Sequence, residues 1–145
     1  MEDCVFCKIA DKKLDASIVY EDNNFIAFLD KSPIFKGHTL LIPKKHIETI
    51  FDFDESLLKE FIVKTKLLSL AVKNSLNVDG ILLINNNIIS QSVPHFHMHI
   101  IPRKRGEVLK GFMWPRTKYK EKEEEEFKLK IKLFLESNKF KYEDN

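Results

Sequence analysis

The chain has 145 residues and a hydrophobic fraction of 43%, which is enough for one domain with a packed core. Its 24 basic and 22 acidic side chains give a net charge of +2, so the charge does not favour general binding to nucleic acid. The apolar runs are too short for a membrane span and the first residues lack a basic leader. These features predict a soluble cytoplasmic protein without a membrane partner, and a nuclear pool stays open.

Apolar periodicity predicts five strands, a long helix and a final helix. The final helix places its glutamates before its lysines, the order that suits a helix dipole. The pattern indicates the α+β class, with an antiparallel sheet and one main covering helix. The predicted strands are 17–21, 24–30, 38–43, 80–85 and 95–101, and the predicted helices are 54–75 and 121–138. The expected apolar positions of the long helix are Leu57, Leu58, Phe61, Leu68, Ala71 and Val72.

Two cysteines, Cys4 and Cys7, stand in a C-x-x-C spacing close to the start of the sequence. Such a pair can be a redox couple, half of a zinc site or two ordinary thiols, and the spacing alone leaves these open. A thioredoxin-like motif would follow a strand and begin a long helix, whereas the polar run 12–15 soon interrupts any helix here. A redox role is therefore not favoured.

Three histidines at alternate positions, His95, His97 and His99, are the most informative feature of the chain. On a strand, alternate residues point to one face, so the three imidazoles would lie together, opposite Phe96 and Met98. From the residues alone, three interpretations are open. They are solvated or hydrogen-bonded histidines, a metal site, and a neutral imidazole nucleophile for a phosphoryl group.

The sequence around the histidines favours the nucleophile. No acidic residue lies between Asp79 and Glu107, and a catalytic metal usually has carboxylates nearby, although these can come from elsewhere in the fold. Adjacent imidazoles disfavour one another's protonation, which keeps one of them neutral near pH 7. The polar run 85–92 predicts an anion cradle of backbone N–H groups, although such runs are more often plain turns.

Residues 91–103, QSVPHFHMHIIPR, resemble the motif of the histidine triad (HIT) family. The resemblance extends to residues 4–9, 28–30 and 38–47, and covers roughly residues 4–115. The chain looks most like the branch related to protein kinase C-interacting protein, whose members hydrolyse purine nucleoside phosphoramidates and related adenylylated compounds. The resemblance implies a HIT-like fold: a five-stranded antiparallel sheet, one main helix, and short N-terminal and C-terminal helices.

The resemblance also implies how the chain is organised and assembled. It implies a catalytic domain over residues 1–115, extended by a charged helical segment over 116–145, and a homodimer that joins two sheets into one. In a lone subunit, the long helix and the run 81–84 would leave much apolar surface uncovered. The stretch 112–115 is similar to the segment that reaches toward the partner's active site in relatives.

The mechanism that the resemblance implies uses His97 as the nucleophile on the α-phosphorus of a nucleotide, forming a nucleotidyl-histidine that water hydrolyses. His99 and Asn85 would contact the phosphate, and Ser92 would assist the phosphate and the leaving group. Gln91, in the same loop, is assigned to substrate binding, and His38 would be a partner behind the triad. The alternative for His38 is a histidine at the start of a strand whose hydrogen bonds are satisfied and which has no role in the reaction.

The resemblance further implies a site for a purine nucleoside of the AMP type. Asp30 would accept hydrogen bonds from both ribose hydroxyls, although residues 30–33 also read as a turn. Apolar residues would form the slot for the base, and a plain core is the alternative for them. These base-slot residues are Val5, Phe6, Ile9 and Phe28.

The family pattern completes a structural Zn²⁺ site from Cys4 and Cys7 with His46 and His95, and implies no organic cofactor. Such a Cys₂His₂ set would form a closed tetrahedral site that ties the first residues to the histidine segment. In this scheme His95 is structural and not catalytic.

One departure from the family and three alternatives stay open. Ile88 and Ser90 stand where family loops usually have glycine, which permits a positive φ or a close backbone approach to phosphate. Dinucleoside polyphosphate hydrolases of the Fhit branch share the triad but generally lack the C-x-x-C pair. A non-catalytic nucleotide-binding module is favoured only by the altered loop. An aprataxin-like DNA-end enzyme is not favoured, because no cysteine follows Cys7 and a linear basic run over 103–120 is not yet a binding face.

Overall fold

A five-stranded antiparallel sheet is the centre of the computed structural model, which describes residues 4–108 and 117–137. Its strands are β1 (Ile18–Glu21), β2 (Phe25–Leu29), β3 (Thr39–Pro43), β4 (Gly80–Ile84) and β5 (Met98–Arg103). The helices are α1 (Val5–Ala10), α2 (Glu55–Ser75) and α3 (Glu123–Ser137), with a 3₁₀ turn at Ile50–Asp52. The strand order is β1-β2-β3-β5-β4, with every neighbouring pair antiparallel. The predicted α+β architecture with one main helix is confirmed.

Strands β2 and β3 are buried because side chains from both of their faces pack against helices. On one face, Phe25, Ala27 and Leu41 join the core that contains α2. On the other face, Ile26 and Ile42 join a core built around α1. Alternate residues therefore serve two cores, which explains why these strands read as nearly continuous apolar runs.

The long helix α2 begins where Asp54 accepts hydrogen bonds from the N–H groups of Ser56 (3.0 Å) and Leu57 (3.2 Å). Its packing centres on Phe61, which contacts Phe25 edge to face with ring centroids 5.5 Å apart. Burying a phenylalanine of this kind contributes about 2–3 kcal/mol. Among the expected apolar positions, Phe61, Leu68 and Val72 are buried, whereas Ala71 is exposed, because it lies beside the buried stripe.

The histidine strand begins later than predicted. The expected span was 95–101, but β5 begins at Met98. The N–H of Phe96 donates to the carbonyl of Ile47 (2.6 Å), and the N–H of His95 donates to Val93 (2.8 Å). The lead-in is therefore held outside the regular ladder, which starts where Met98 pairs with Leu41.

The structure divides into two compact units, Met1–Glu107 and Val108–Asn145. In the second unit, α3 has four glutamates in its first turn, as a helix dipole favours, and no buried residue among those described. The predicted boundary at 115/116 falls among residues 109–116, which lie outside the described residues, so that division stays a prediction. No helix within residues 4–108 and 117–137 is long and apolar enough to cross a membrane.

Candidate functional site

Four histidines lie together on the α1 side of the sheet. His95 and His97 are in the lead-in to β5, His99 is on β5, and His38 immediately precedes β3. The first two are 0% and 1% exposed and His38 is 2% exposed, so these three imidazoles are buried and not solvated. Phe96, on the opposite side, packs in the α2 core, as the alternation predicted.

His97 is held in one tautomer by the backbone of His95. Its Nδ1 lies 2.7 Å from the carbonyl oxygen of His95. A carbonyl only accepts, so Nδ1 carries the proton and the lone pair of the neutral ring lies on Nε2. Burial lowers the pKa of His97, although the hydrogen bond to the His95 carbonyl and the charge of Asp30 oppose this shift. A neutral imidazole with a free Nε2 lone pair is a nucleophile.

The ring of His99 is oriented by a hydrogen bond from His38. The N–H of Ile34 donates to His38 Nδ1 (3.3 Å), so the proton of a neutral His38 lies on Nε2. That Nε2–H donates to His99 Nδ1 at 2.9 Å, which leaves the proton of His99 on its own Nε2. Burial, reinforced by His97 and His38, lowers the pKa of His99 to about 4. His99 therefore offers a neutral N–H donor next to the lone pair of His97.

A cavity of ≈ 270 Å³ joins the histidines to the predicted nucleoside residues. His97, His99 and Ser92 line it together with Asp30. The four predicted base-slot residues also line it: Val5, Phe6, Ile9 and Phe28. Phe6 meets the Phe28 ring edge to face, with centroids 5.6 Å apart, and meets the His97 ring at 5.2 Å. The cavity is thus apolar at one part of its wall and histidine-lined at another, the mixture that is typical of small-molecule sites.

Asp30 caps a turn and also lines the cavity, while its predicted contact with ribose stays a prediction. One carboxylate oxygen accepts the N–H of Ser32 (2.8 Å) and so caps the turn at 30–33. The other lies 3.7 Å from His38 Nδ1 and supplies the charge that opposes the lowering of the pKa of His38 by burial. The carboxylate remains on the cavity wall, at a position suited to a vicinal diol.

The amides of Asn85 and Gln91 brace the loop between β4 and the histidines. Asn85 donates to the carbonyl of His97 (2.8 Å) and accepts from Asn87 (2.6 Å). Gln91 donates to the carbonyl of Glu48 (2.6 Å) and accepts from the N–H of Ile88 (2.9 Å). Both side chains thus hold backbone, and their predicted contacts with phosphate and substrate stay predictions.

The loop has a left-handed backbone at two positions where glycine would be unstrained but the chain has isoleucine and serine. Ile88 has φ 69° and Ser90 has φ 60°, both in the left-handed region. A side chain in this region costs about 1–2 kcal/mol, and glycine avoids that cost. The two residues that depart from the family pattern are therefore in strained backbone conformations.

The predicted zinc ligands converge. Ligand atoms of Cys4, Cys7, His46 and His95 all lie within 4.8 Å of one another. Cys4 Sγ is 3.4 Å from His95 Nδ1, and Cys7 Sγ is 3.3 Å from His46 Nδ1. Tetrahedral zinc with ordinary bond lengths separates a sulfur and a nitrogen ligand by about 3.6 Å. His95 Nε2 donates to the carbonyl of Pro43 (2.8 Å), which leaves Nδ1 free as a ligand atom.

The protonation of the Cys7 thiol also bears on binding of zinc. Burial, helped by the hydrogen bond and charge of Cys4, raises the pKa of Cys7 to about 11, so a metal must displace a proton from this thiol. Asp30, His38 and His99 form a second cluster of ligand types. However, the two nitrogens of His38 face different partners, Ile34 and His99, so that cluster is a hydrogen-bond relay.

Sequence reasoning missed part of the cavity wall. Leu40 lies on β3, where alternation with Ile42 would have assigned it to the α1 face. Lys31 follows Asp30 directly. The other missed residues lie in irregular segments or at a strand end without a periodic signal, and they are Leu14, Ala16, Leu29 and Val93. The predicted partner-facing stretch 112–115 lies outside the described residues.

Comparison with known proteins decides the family. The HIT domain model matches residues 11–106, which span all five strands and the three histidines. The chain belongs to the HIT family. "Protein hit" of Bacillus subtilis is 43% identical to this HIT protein over 104 residues, 70% of this chain and 72% of that protein. A crystal structure of a HIT family member from Bacillus subtilis is similar with a TM-score of 0.82 at 36% identity, covering 90% of this chain and 96% of that chain.

Two further similarities concern chemistry. Adenylylsulfatase HINT3 of Arabidopsis thaliana is 38% identical over 109 residues, which are 74% of this HIT chain and 55% of that protein. A zinc-bound histidine triad protein from Mycobacterium smegmatis has a TM-score of 0.71 at 28% identity, covering 94% of this chain and 98% of that chain. The domain match begins at residue 11, after α1, so it does not include Cys4 and Cys7. The HIT-like fold expected from the sequence is confirmed.

Proposed function

We propose that this HIT protein is a nucleotide hydrolase of the purine nucleoside phosphoramidase-like branch. It cleaves the P–N or P–O bond at the α-phosphate of an AMP-like conjugate, through a nucleotidyl intermediate on His97. Family membership and the adenylylsulfatase relative support a hydrolase of nucleotide conjugates. The observation that carries the proposal is the His97 tautomer, because the bond from Nδ1–H to the His95 carbonyl leaves the lone pair on Nε2 in a ring that lines the cavity.

In the first step, a bond forms between His97 Nε2 and the α-phosphorus while the bond to the leaving nitrogen or oxygen breaks. His99 donates its Nε2–H to a phosphate oxygen, where negative charge develops, and His38 holds His99 in that orientation. The leaving group departs with a proton, which we assign to the Ser92 hydroxyl on the same cavity wall.

In the second step, water attacks the phosphorus and the P–Nε2 bond breaks. The proton of the water restores Ser92, and the nucleotide leaves with the oxygen of the water. Asn85 holds the backbone of His97 through its bond to the His97 carbonyl (2.8 Å), so the nucleophile keeps its position through both steps. The histidine needs no separate base, because its pKa is lowered by burial.

The substrate is anchored by its nucleoside. Asp30 accepts from the ribose hydroxyls, and the base lies between Phe6 and the other apolar residues of the cavity. The choice of an AMP-like purine rests on the resemblance to the phosphoramidase branch, since the apolar wall accepts any aromatic base.

A structural Zn²⁺ held by Cys4, Cys7, His46 and His95 belongs to the proposal. The distances within the group suit a closed tetrahedral site, and one solved HIT neighbour is zinc-bound. Zinc would cross-link α1 to the histidine segment. It would take no part in the reaction at phosphorus, because four protein ligands leave no open coordination position for water or substrate.

A second copy of the chain is the proposed partner. Strand β4 ends the sheet, so one of its edges is unpaired within the described sheet. Beside it, α2, β4 and β5 form a mostly apolar hollow of ≈ 420 Å³, lined in part by the half-exposed Ile62, Leu70 and Leu83. A two-fold axis at β4 would cover this surface and join the two sheets.

Turnover of adenosine 5′-phosphoramidate by the purified protein tests the activity. The wild type should release AMP, and His97→Ala should release none while its urea unfolding curve stays cooperative. Rates on diadenosine polyphosphates distinguish a phosphoramidase from the alternative enzyme, a dinucleoside polyphosphate hydrolase, because the latter would hydrolyse them faster than the phosphoramidate. AMP binding without turnover of either substrate would instead identify a non-catalytic module, the alternative that the strained loop at Ile88 favours.

A further inference from the structure

The short helix α1 belongs to two sites at once. Cys7 lies on it and Cys4 caps its first turn, and both offer sulfur to the metal group. Three other residues of the same segment form the apolar wall of the nucleotide cavity, namely Val5, Phe6 and Ile9. The metal group and the base slot therefore share α1 and its N-cap residue.

This helix depends on tertiary anchors. A helix of six residues is not stable alone in water, because nucleation costs more than so few bonds return. The backbone hydrogen bonds that flank α1 stay within residues 4–14 and do not reach the sheet. Two kinds of side-chain contact join α1 to the sheet: the burial of Phe6 and Ile9, and the contacts from the two sulfurs to His46 and His95. Just beyond α1, Lys12 also pairs with Glu21 of β1.

The catalytic histidine has an anchor of a different kind. His97 Nδ1 is held by the backbone carbonyl of His95, and the His95 ring is also fixed by its Nε2–H bond to the carbonyl of Pro43. Neither bond uses His95 Nδ1, the atom that the metal group offers as a ligand. Loss of the metal therefore releases α1 far more than it releases His97.

We propose that the metal group sets the affinity for the nucleoside, because it holds α1 as one wall of the base slot. Cys4 and Cys7 are then positioning residues for base recognition, acting through Phe6, whose ring meets Phe28 at 5.6 Å and His97 at 5.2 Å. The inference rests on the proposed nucleotide site and its zinc. It predicts that metal loading changes binding of the base and leaves binding of the sugar phosphate unchanged.

Calorimetric titration with AMP and with ribose 5-phosphate separates the two parts of the site. The zinc-loaded protein and the same protein after chelation are each titrated with both ligands. AMP affinity should fall about tenfold or more on zinc removal, the loss expected when one stacking face for a base is released. Ribose 5-phosphate affinity should change less than twofold, and amide hydrogen exchange should accelerate in residues 5–10. For adenosine 5′-phosphoramidate, KM should rise while kcat holds.

A reciprocal measurement keeps the proposal testable if the chelated protein or Cys7→Ser unfolds. Linkage requires that AMP tighten zinc binding by the same factor by which zinc tightens AMP binding. Competition for zinc with a coloured chelator, with and without saturating AMP, measures this in the holoprotein. Ribose 5-phosphate is the matched control and should have no effect.

Four results would overturn the inference: equal AMP affinity with and without zinc, equal loss for both ligands, no effect of AMP on zinc affinity, or a protein that binds no zinc. None of these contradicts the nucleotidyl-histidine mechanism, which labelling of His97 tests separately.

Discussion

Replacing Ile88 by glycine tests the strain in the loop beside the triad. Ile88 has φ 69°, where the branched Cβ of isoleucine crowds its own backbone. Its N–H donates to Gln91 (2.9 Å), a bond that glycine keeps. Ile88→Gly therefore removes the strain without removing the brace.

The magnitude follows from a matched control at the next residue. Ile89 has no positive φ and is 78% exposed, against 69% for Ile88. Ile89→Gly makes the same change in composition, so the extra freedom of the unfolded chain and the small loss of burial nearly cancel between the two variants. What remains is the left-handed penalty, about 1–2 kcal/mol. Ile88→Gly should be more stable than Ile89→Gly by that amount.

Urea unfolding of both zinc-saturated variants measures the difference. The midpoint should be higher for Ile88→Gly, with an unchanged slope that shows the same surface exposed on unfolding. Equal midpoints, or a lower midpoint for Ile88→Gly, would show that the loop is not strained at this residue.

Three other predictions concern the triad and its assembly. Folded His99 has a pKa of about 4, so between pH 6.5 and 4 the unfolded state binds a proton that the folded state does not, and the free energy of unfolding should decrease as the pH is lowered. His99→Gln should reduce the slope of the free energy of unfolding against pH by the equivalent of about one proton, and an unchanged slope would contradict the lowered pKa. Asn85→Ala should lower kcat more than it raises KM, because its bond to the His97 carbonyl is lost, and full activity would exclude that role. Light scattering should give about twice 17.1 kDa, Leu83→Glu should shift the mass to a monomer, and an active wild-type monomer would refute the dimer.

The spacing of apolar residues predicted the helices and strands, because burial of both faces of the sheet imposes that spacing on the sequence. It predicted α2 and the strands β1 to β4 to within one residue at each end, and it placed Phe96 opposite the histidines. The start of β5 was wrong because the carbonyl of Ile47, remote in sequence, takes the N–H of Phe96. Alternation alone also could not show that His95 faces two cysteines while His97 faces a cavity.

The braces around the site could not be predicted, since their partners lie far along the chain. Gln91 bonds to the carbonyl of Glu48, and Asn85 bonds to the carbonyl of His97. Nothing in the spacing of these amides announces a carbonyl 43 or 12 residues away. By contrast, the sequence showed that the loop lacks the glycines usual in the family. The structure has a positive φ at those two positions, Ile88 and Ser90.

Isolation of the covalent intermediate tests the central claim most directly. Adenosine 5′-phosphoramidate labelled at the α-phosphorus is mixed with enzyme and quenched in alkali, which preserves a P–N bond to histidine. Label should remain on the wild-type protein, map to the peptide that contains His97, and be absent from His97→Ala. Turnover without labelled protein, or label on His97→Ala, would contradict a nucleotidyl intermediate on His97.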